Sequence, residues 1–487
     1  MPPIAPPTAA LRDFPDWLSP ILVKELRQGL RQRAFVLLFV FLQVIMVLVV
    51  FSALLGGGTR NDEGLRAGET ISGFFFALFA IAGLLVQPLR AINALAGERT
   101  GGTLDLLTLT RLNVWRITVG KWLALFGQTT LLLIAILPYL LMRYYLGGMQ
   151  LFNELMVLFA LYVLSGAVTA IMVGISGLPS VVLRVILGLA LAFPLFVLTV
   201  GIVSTIERGM GRVFMDFGVG ASTSGFLWGY LGALAVVAFL GYYFLEIGAT
   251  QLAPPSENRS TRKRLLGLAM LAVILFGFKW APEAAVVVGF FLAILLVIDA
   301  LTESPEFTVS VMRPFRRFGL AGRAASMVLA PGWATGTLFT GGVIGLLLLG
   351  FSQATRMHTE KGMLGFGLLG FASLVMPAVV VVLRKLGHRN TLVTFLAVLI
   401  GIGVISLIFI ILGYALDGEK AVPWLFSLLP PVGLMGIDQL AREESYTVCA
   451  ALTLCGWWLL LLLAAKPWFG RMSQLAKSPP PPARSRR

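Results

Sequence analysis

The chain has 487 residues, of which 58% are hydrophobic and only 13% carry a charged side chain. Its mean hydropathy of +0.90 excludes a water-soluble globule, because a soluble surface needs far more polar groups than this chain contains. The formal net charge of +15 would suggest nucleic-acid binding in a soluble protein. Here the basic residues lie between apolar runs, as membrane topology requires, so we expect membrane lipid as a partner and no nucleic acid.

The apolar runs predict the fold. About twelve of them approach or exceed the length that crosses a bilayer as a helix, and they do not alternate in polarity as barrel strands would. The sequence therefore predicts an all-α, polytopic transmembrane helical protein. The expected spans are residues 34–55, 71–89, 122–142, 154–176, 182–204, 225–247, 265–279, 284–301, 333–354, 363–383, 391–415 and 446–465.

The distribution of Lys and Arg predicts the topology. Clusters of basic residues precede the first span, follow the second, sixth, eighth and tenth spans, and end the C-terminal tail, which places both the N-terminus and the C-terminus in the cytoplasm. The expected parts are a cytoplasmic N-terminus with an amphipathic helix (1–33), a first six-span domain (34–252), a polar linker (253–264), a second six-span membrane region (265–465) and a basic, proline-rich tail (466–487).

The segment before the first span predicts a helix. Ser19 can cap it and Pro20 suits its first position. Its charged residues are Lys24, Glu25, Arg27 and Arg31. Its leucines recur every four residues, and the three basic residues lie off that stripe. Such a helix can lie in the inner membrane surface and touch a cytoplasmic partner, or it can simply be a basic anchor for the first span.

The loop between the second and third spans contains an unusual apolar segment. Thr103 can cap a short helix that has Asp105 in its first turn, where negative charge suits the helix dipole. Leu104, Leu106 and Leu107 then need a burial site. That site is either a groove on a partner or the inner ends of the protein's own helices.

Two segments of this chain resemble the membrane-spanning subunits of ABC transporters of the ABC-2 class. One is Pro20-Ile-Leu-Val-Lys-Glu-Leu-Arg27. The other runs from Glu98-Arg99 through Gly102-Thr103-Leu104-Asp105 and Leu106-Leu107 to Ile117-Thr-Val-Gly120-Lys121. The order of the first six spans also fits this ABC-2 permease class, and the resemblance covers about residues 17–255.

The resemblance implies a function and two protein partners. The loop residues would form a coupling helix that docks on a cytoplasmic ABC ATPase subunit; they are Glu98, Arg99, Gly102, Thr103, Leu104, Asp105, Leu106 and Leu107. The chain would pair with a second copy of itself or with a related permease. It would lie in the bacterial inner membrane and transport an unknown substrate, with export as the commoner direction.

The chain lacks the usual catalytic motifs. It has no GxxxxGK[ST] phosphate loop and no HExxH, so ATP and Mg²⁺ are expected in the partner ATPase and no cofactor or metal in this chain. His358 and His388 fall in loops, where we expect both to be solvated. We predict no catalytic residue in this polypeptide.

Four polar residues are the notable interruptions of the predicted spans. Gln43, Gln128, Thr129 and Thr130 could line a translocation pathway or make hydrogen bonds between helices. The ionisable residues fall near span ends, where they can reach the headgroups; they are Glu154, Arg184, Glu246 and Asp299. Residues 302–330, with Glu303, are expected to form a solvated loop.

Three other functions remain open at this stage. An ion-coupled secondary transporter would need charged residues or broken helices within the membrane. A membrane enzyme would need an acid or metal-binding loop at the interface. A scaffold without transport activity would need neither.

Overall fold

The computed structural model describes residues 20–56, 73–97, 113–146, 151–178, 180–188, 223–254, 257–277, 282–304, 309–354, 361–385, 391–415, 429–435 and 444–477. Over these ranges the protein is 92% helical and contains no strand. Ten of the described helices are long and apolar enough to cross a membrane. The chain is therefore an all-α, multi-pass membrane protein, as its apolar runs predicted.

The helices are numbered in chain order. They are α1 (Pro20–Arg31), α2 (Arg33–Gly56), α3 (Gly73–Ala91), α4 (Val114–Leu146), α5 (Leu151–Ser176), α6 (Thr223–Leu252), α7 (Ser260–Gly277), α8 (Pro282–Thr302), α9 (Val309–Arg316), α10 (Gly319–Leu329), α11 (Trp333–Ala354), α12 (Lys361–Leu383), α13 (Thr391–Ala415), α14 (Pro430–Met435) and α15 (Glu444–Lys477). Residues 181–188 form a further helical stretch between α5 and α6.

Two of the twelve predicted spans are not among these ten helices. Most of the predicted span 182–204 lies outside the described residues. The predicted span 265–279 corresponds to α7, which begins earlier, at Ser260, and includes three consecutive basic residues, Arg262, Lys263 and Arg264. The first turns of α7 therefore occupy the end of the predicted linker.

The chain divides into two compact units. The first contains the residues up to 216 together with Phe226–Leu252, and the second contains the chain from Ala253 onward. Each unit has its own packing and is described by itself.

Aromatic side chains from α3 form the centre of the first unit. Phe75, Phe76 and Phe79 are fully buried and pack with Met46 of α2 and Leu132 of α4. Lipid is as apolar as these side chains, so close packing rather than escape from water holds the helices together.

Small residues let α5 and α6 approach closely. A Cβ atom at Gly174 would lie 2.1 Å from the backbone oxygen of Phe244, and one at Gly248 would lie 2.9 Å from the Cα of Gly174. Glycine is therefore required at both positions. A glycine also allows a close helix contact in the second unit. A Cβ at Gly336 of α11 would lie 2.2 Å from the backbone oxygen of Ala300 in α8.

A buried ionic cluster joins α7, α8 and the start of α11 in the second unit. The Lys263 Nζ lies 2.9 and 2.8 Å from the two carboxylate oxygens of Asp299. The Arg264 Nη2 lies 2.8 Å from Glu303 Oε2. Lys263 and Arg264 are almost entirely buried, and the carboxylates are 16% and 11% exposed.

The remaining donors of Arg264 are also used. Its guanidinium donates to the Thr335 hydroxyl and to three backbone oxygens, which are those of Val328, Ala330 and Gly332. Glu303 in turn accepts from the backbone N–H of Gly332 at 3.2 Å and from the hydroxyl of Ser260. The cluster is therefore a clamp whose charges are compensated within the protein.

This cluster corrects two expectations from the sequence. Asp299 does not extend to headgroups, because Lys263 holds both of its oxygens. Glu303 is not part of a solvated loop, and residues 302–330 are not a simple loop, since they contain α9 and α10. Between these two helices Phe318 is 71% exposed, and Leu320 in the first turn of α10 is 81% exposed.

Removing one charge from the cluster should destabilise the second unit strongly. Lys263→Met or Asp299→Leu alone leaves a buried charge without its partner, which costs about 3–5 kcal/mol. The double variant removes both charges and fills the space with apolar groups, so we expect it to be less destabilised than either single variant. Unfolding of the detergent-purified chain, followed by tryptophan fluorescence, measures these differences. Additive losses in the double variant would show that the two charges do not compensate each other.

Candidate functional site

The predicted coupling segment itself lies outside the described residues. All eight residues assigned to it fall within 98–112, namely Glu98, Arg99, Gly102, Thr103, Leu104, Asp105, Leu106 and Leu107. The structure describes both flanks, which end at Gly97 and resume at Asn113. These flanks show how the two ends of the segment are attached to the helices.

The flank before the segment is fixed to α5 and α6. Leu95 is fully buried, and its backbone N–H donates to the Ser176 hydroxyl at 3.0 Å. A Cβ atom at Gly248 would lie 3.1 Å from the Leu95 side chain. Asn93 accepts a hydrogen bond from the guanidinium of Arg184 at 2.8 Å. The chain therefore enters the segment from a packed position.

The flank after the segment begins α4 with a capped turn. The side-chain oxygen of Asn113 accepts from the backbone N–H of Trp115 at 3.0 Å, which satisfies a free donor at the helix start. The Trp115 ring contacts Tyr242 of α6 edge to face, with centroids 5.4 Å apart. The Tyr242 hydroxyl donates to Glu246 at 2.8 Å. Both flanks of the segment thus rest on α6.

Two ionisable residues near these flanks are more deeply buried than the sequence suggested. Glu246 is fully buried and Arg184 is 5% exposed. The expectation that they reach the headgroups was wrong, because both side chains are buried and bond to protein groups, Glu246 to the Tyr242 hydroxyl and Arg184 to the Asn93 side chain. The partner of Arg184 is 91 residues away and leaves no signal in the local sequence, whereas Tyr242 lies one helical turn before Glu246.

The N-terminal helix α1 packs along the first part of α4. Isoleucine 21 lies against Gly120, and Leu26 lies against Gly127. Because the contacted residue numbers increase together on both helices, α1 and α4 run parallel. A Cβ atom at Gly120 would lie 3.2 Å from the Ile21 side chain, so the small residue allows the contact.

One ion pair connects α1 to α4. The Lys121 Nζ lies 2.7 Å from the Glu25 carboxylate, with side-chain exposures of 8% and 24%. The other charged residues of α1 point away from the contact and are exposed; they are Lys24, Arg27 and Arg31. The predicted helix is present, and its placement at a membrane surface stays a prediction.

The polar residues proposed for a pathway make hydrogen bonds within the first unit. Gln43 accepts from the Tyr139 hydroxyl at 2.6 Å. Thr130 shares a 2.8 Å hydrogen bond with the Tyr162 hydroxyl. Thr129 is buried and donates to the backbone oxygen of Leu125 at 3.4 Å. The contacts of Gln43 and Thr130 join different helices, as one of the two alternatives predicts, whereas that of Thr129 lies within α4. A role of these residues in a pathway stays a prediction.

The fourth of these residues, Gln128, belongs to a polar cluster that the sequence did not predict. Arg90, near the end of α3, donates to the side-chain oxygens of Gln87, Gln128 and Gln32 at 2.8, 2.6 and 2.7 Å. These residues come from α3, α4 and the break between α1 and α2. The cluster therefore joins three segments that are distant in sequence.

A π-helical turn in α3 precedes this cluster. Within Ile81–Val86 the backbone N–H of Gln87 donates to Ala82, five residues earlier, instead of to Gly83. The carbonyl of Gly83 is left free and accepts from the Ser165 hydroxyl of α5 at 2.8 Å. Pro88 follows directly and has no N–H to offer the helix. The proline was the one signal of this turn in the sequence.

Neither a metal site nor a relative identifies the function. In the described part of the chain, no group of three or more His, Cys, Asp or Glu residues could hold a metal ion. Comparison with protein-family models, with curated proteins and with solved structures gives no match in any of the three.

The Glu25–Lys121 pair should contribute measurably to the attachment of α1. We expect a coupling free energy of about 1.5–3 kcal/mol in a double-mutant cycle of Glu25→Gln and Lys121→Gln, because the bond is charge-assisted and partly buried. Lys24→Gln, an adjacent but exposed change, is the control and should alter stability by no more than about 0.5 kcal/mol. Additivity of the two substitutions would mean that the ion pair does not hold the helices together.

Proposed function

We propose that this chain is the permease subunit of an ABC transporter of the ABC-2 class. In this proposal residues 98–112 dock on a separate cytoplasmic ATPase subunit, which binds ATP and Mg²⁺ and performs the hydrolysis. The chain transports a substrate across a bacterial inner membrane, with export as the favoured direction. A second copy of the chain, or a related permease, completes the transporter.

The contact between α1 and α4 is the observation that carries the proposal. The resemblance rests in part on two short segments, Pro20–Arg27 and Ile117–Lys121, that are almost a hundred residues apart in sequence. In the structure they meet, through Ile21 against Gly120 and the Glu25–Lys121 ion pair. A chance match of two motifs would not require this contact, so their meeting supports a shared architecture.

The mounting of residues 98–112 suits a coupling role. A displacement of this segment reaches the membrane helices only if the residues on both sides of it are packed firmly on those helices. The flank before it is buried at Leu95, and the flank after it is fixed by Trp115 on Tyr242. Movement of the segment would therefore tilt α3 and α4, and α1 would follow through its ion pair. Nucleotide-driven closure could bias such a two-state bundle.

An ion-coupled secondary transporter is the second candidate, and one observation favours it. The Lys263, Arg264, Asp299 and Glu303 cluster places ionisable groups inside a helical bundle, which is a default marker of ion or proton coupling. Each of these groups is already compensated by the others. A proton cycle would have to break the clamp at every turnover, and this ranks the candidate second.

Co-purification with an ATPase tests the proposal. The tagged full-length chain, isolated from its native membranes, should bring down a polypeptide with a Walker A motif and ATPase activity. A triple variant with Leu104→Asp, Leu106→Asp and Leu107→Asp should lose that polypeptide and activity, because charged residues cannot fill an apolar groove.

The control for this experiment is Leu320→Asp. It places the same charge on an exposed leucine of the second unit and should leave the ATPase bound. Retention of the ATPase by the triple variant would refute docking through residues 98–112. Absence of any Walker-motif protein from the wild-type preparation would refute the proposed function.

A further inference from the structure

Arg90 differs from Arg264 in how its charge is balanced. Arg264 has Glu303 beside it, whereas Arg90 contacts three neutral glutamine oxygens and the Phe35 ring, whose centroid lies 5.7 Å from the guanidinium carbon. Over the described ranges Arg90 makes no ion pair with a carboxylate. Amide oxygens satisfy three of its N–H groups but leave its full positive charge uncompensated.

Hydrogen-bond donors of Arg90 itself and of the neighbouring Gln87 are unused. A guanidinium has five N–H groups, and the three hydrogen bonds to glutamines leave the Nε–H and one Nη2–H of Arg90 for another acceptor. The side-chain nitrogen of Gln87 is buried and has no hydrogen-bond partner among the residues that the structure describes. Because the oxygen of Gln87 faces Arg90, this unpartnered amide lies next to the guanidinium. An anion with several acceptor oxygens would satisfy both groups at once.

The cluster lies at a membrane boundary. Arg90 is one residue before the end of the candidate span Gly73–Ala91, and Gln32 is one residue before the candidate span Arg33–Ser52. Exposed Arg31 and Arg33 flank Gln32 on either side. Span ends lie at the depth of the phosphate groups of the bilayer. Phosphates at this depth belong to phospholipids, and basic residues near a membrane surface attract anionic ones.

We propose that Arg90 and Gln87, flanked by Arg31 and Arg33, form a binding site for the phosphate group of an anionic phospholipid. The guanidinium donates to phosphate oxygens through its unused N–H groups, and the Gln87 amide donates a further hydrogen bond. The Phe35 ring and the glutamine oxygens hold the guanidinium in place. The site is independent of the ATPase-docking proposal.

Lipid retention in native mass spectrometry tests the site. The full-length chain in detergent is titrated with phosphatidylglycerol and, separately, with phosphatidylcholine that has the same acyl chains. We expect a saturable phosphatidylglycerol adduct that phosphatidylcholine does not form. Arg90→Gln should weaken this binding about tenfold or more, because a charge-assisted hydrogen-bonded contact is lost.

Two further variants separate the site from general effects. Arg116→Gln removes the same charge from an exposed position on α4 and should leave phosphatidylglycerol binding unchanged. Gln87→Glu keeps the side-chain shape and the hydrogen bond to Arg90 but supplies the missing negative charge. It should also weaken binding about tenfold, and because it gives Arg90 an ion-pair partner it should keep the protein folded even if Arg90→Gln does not.

Three outcomes would overturn the proposal. Equal retention of the two lipids would show that the site does not recognise an anionic headgroup. Unchanged phosphatidylglycerol binding in Gln87→Glu would show that binding does not involve the Arg90 charge. Saturable binding of inorganic phosphate without any phosphatidylglycerol adduct would assign the site to a free anion instead of a lipid.

Discussion

A charge or polar group inside a helical membrane bundle has to find its partner within the protein, because the lipid offers none. This constraint explains which helices of the chain are joined. Glu25 and Lys121 connect α1 to α4, and Lys263 with Asp299 connects α7 to α8. Apolar packing alone would leave such helices free to slide, since lipid contacts are as favourable as helix contacts. The ionic contacts fix which residues face each other.

In the first unit, contacts between helices connect α1 and the flanks of residues 98–112 to the membrane helices. The parallel pair α1 and α4 is held by the ion pair and by close contacts at glycine positions such as Gly120. Both flanks of residues 98–112 rest on α6, through Leu95 and Trp115. A segment attached in this way can transmit a displacement to the bundle when a partner outside the bundle binds and moves it. In our functional proposal, that partner is a nucleotide-hydrolysing subunit.

The sequence predicted most of the helices because a spanning helix is visible as one continuous apolar run. Helices α2, α11 and α12 coincide within a few residues with the predicted spans. Helix α1 was predictable from its leucine spacing and from Pro20. The polar contacts were not predictable, because their partners are distant in sequence, as Lys263 and Asp299 are. Lys263 and Arg264 instead matched the expected topology signal and were assigned to a linker.

The candidate site was predictable in part for the same reason. Local motifs marked the two segments that the structure brings together at Glu25 and Lys121. No local motif indicated the Arg90 cluster, because Arg90 joins three glutamines from separate segments of the chain. The π-helical turn that precedes it depends on the Ser165 hydroxyl of another helix.

In the proposed transporter, residues 98–112 lie in the cytoplasm and are covered by the ATPase subunit. Labelling of Thr103→Cys with a membrane-impermeant maleimide tests it directly, in a background where Cys449 and Cys455, both exposed, are changed to serine. We expect labelling in inside-out vesicles only, and protection there when the ATPase subunit is bound. Labelling in right-side-out vesicles would place the segment on the opposite side of the membrane and contradict the proposed docking.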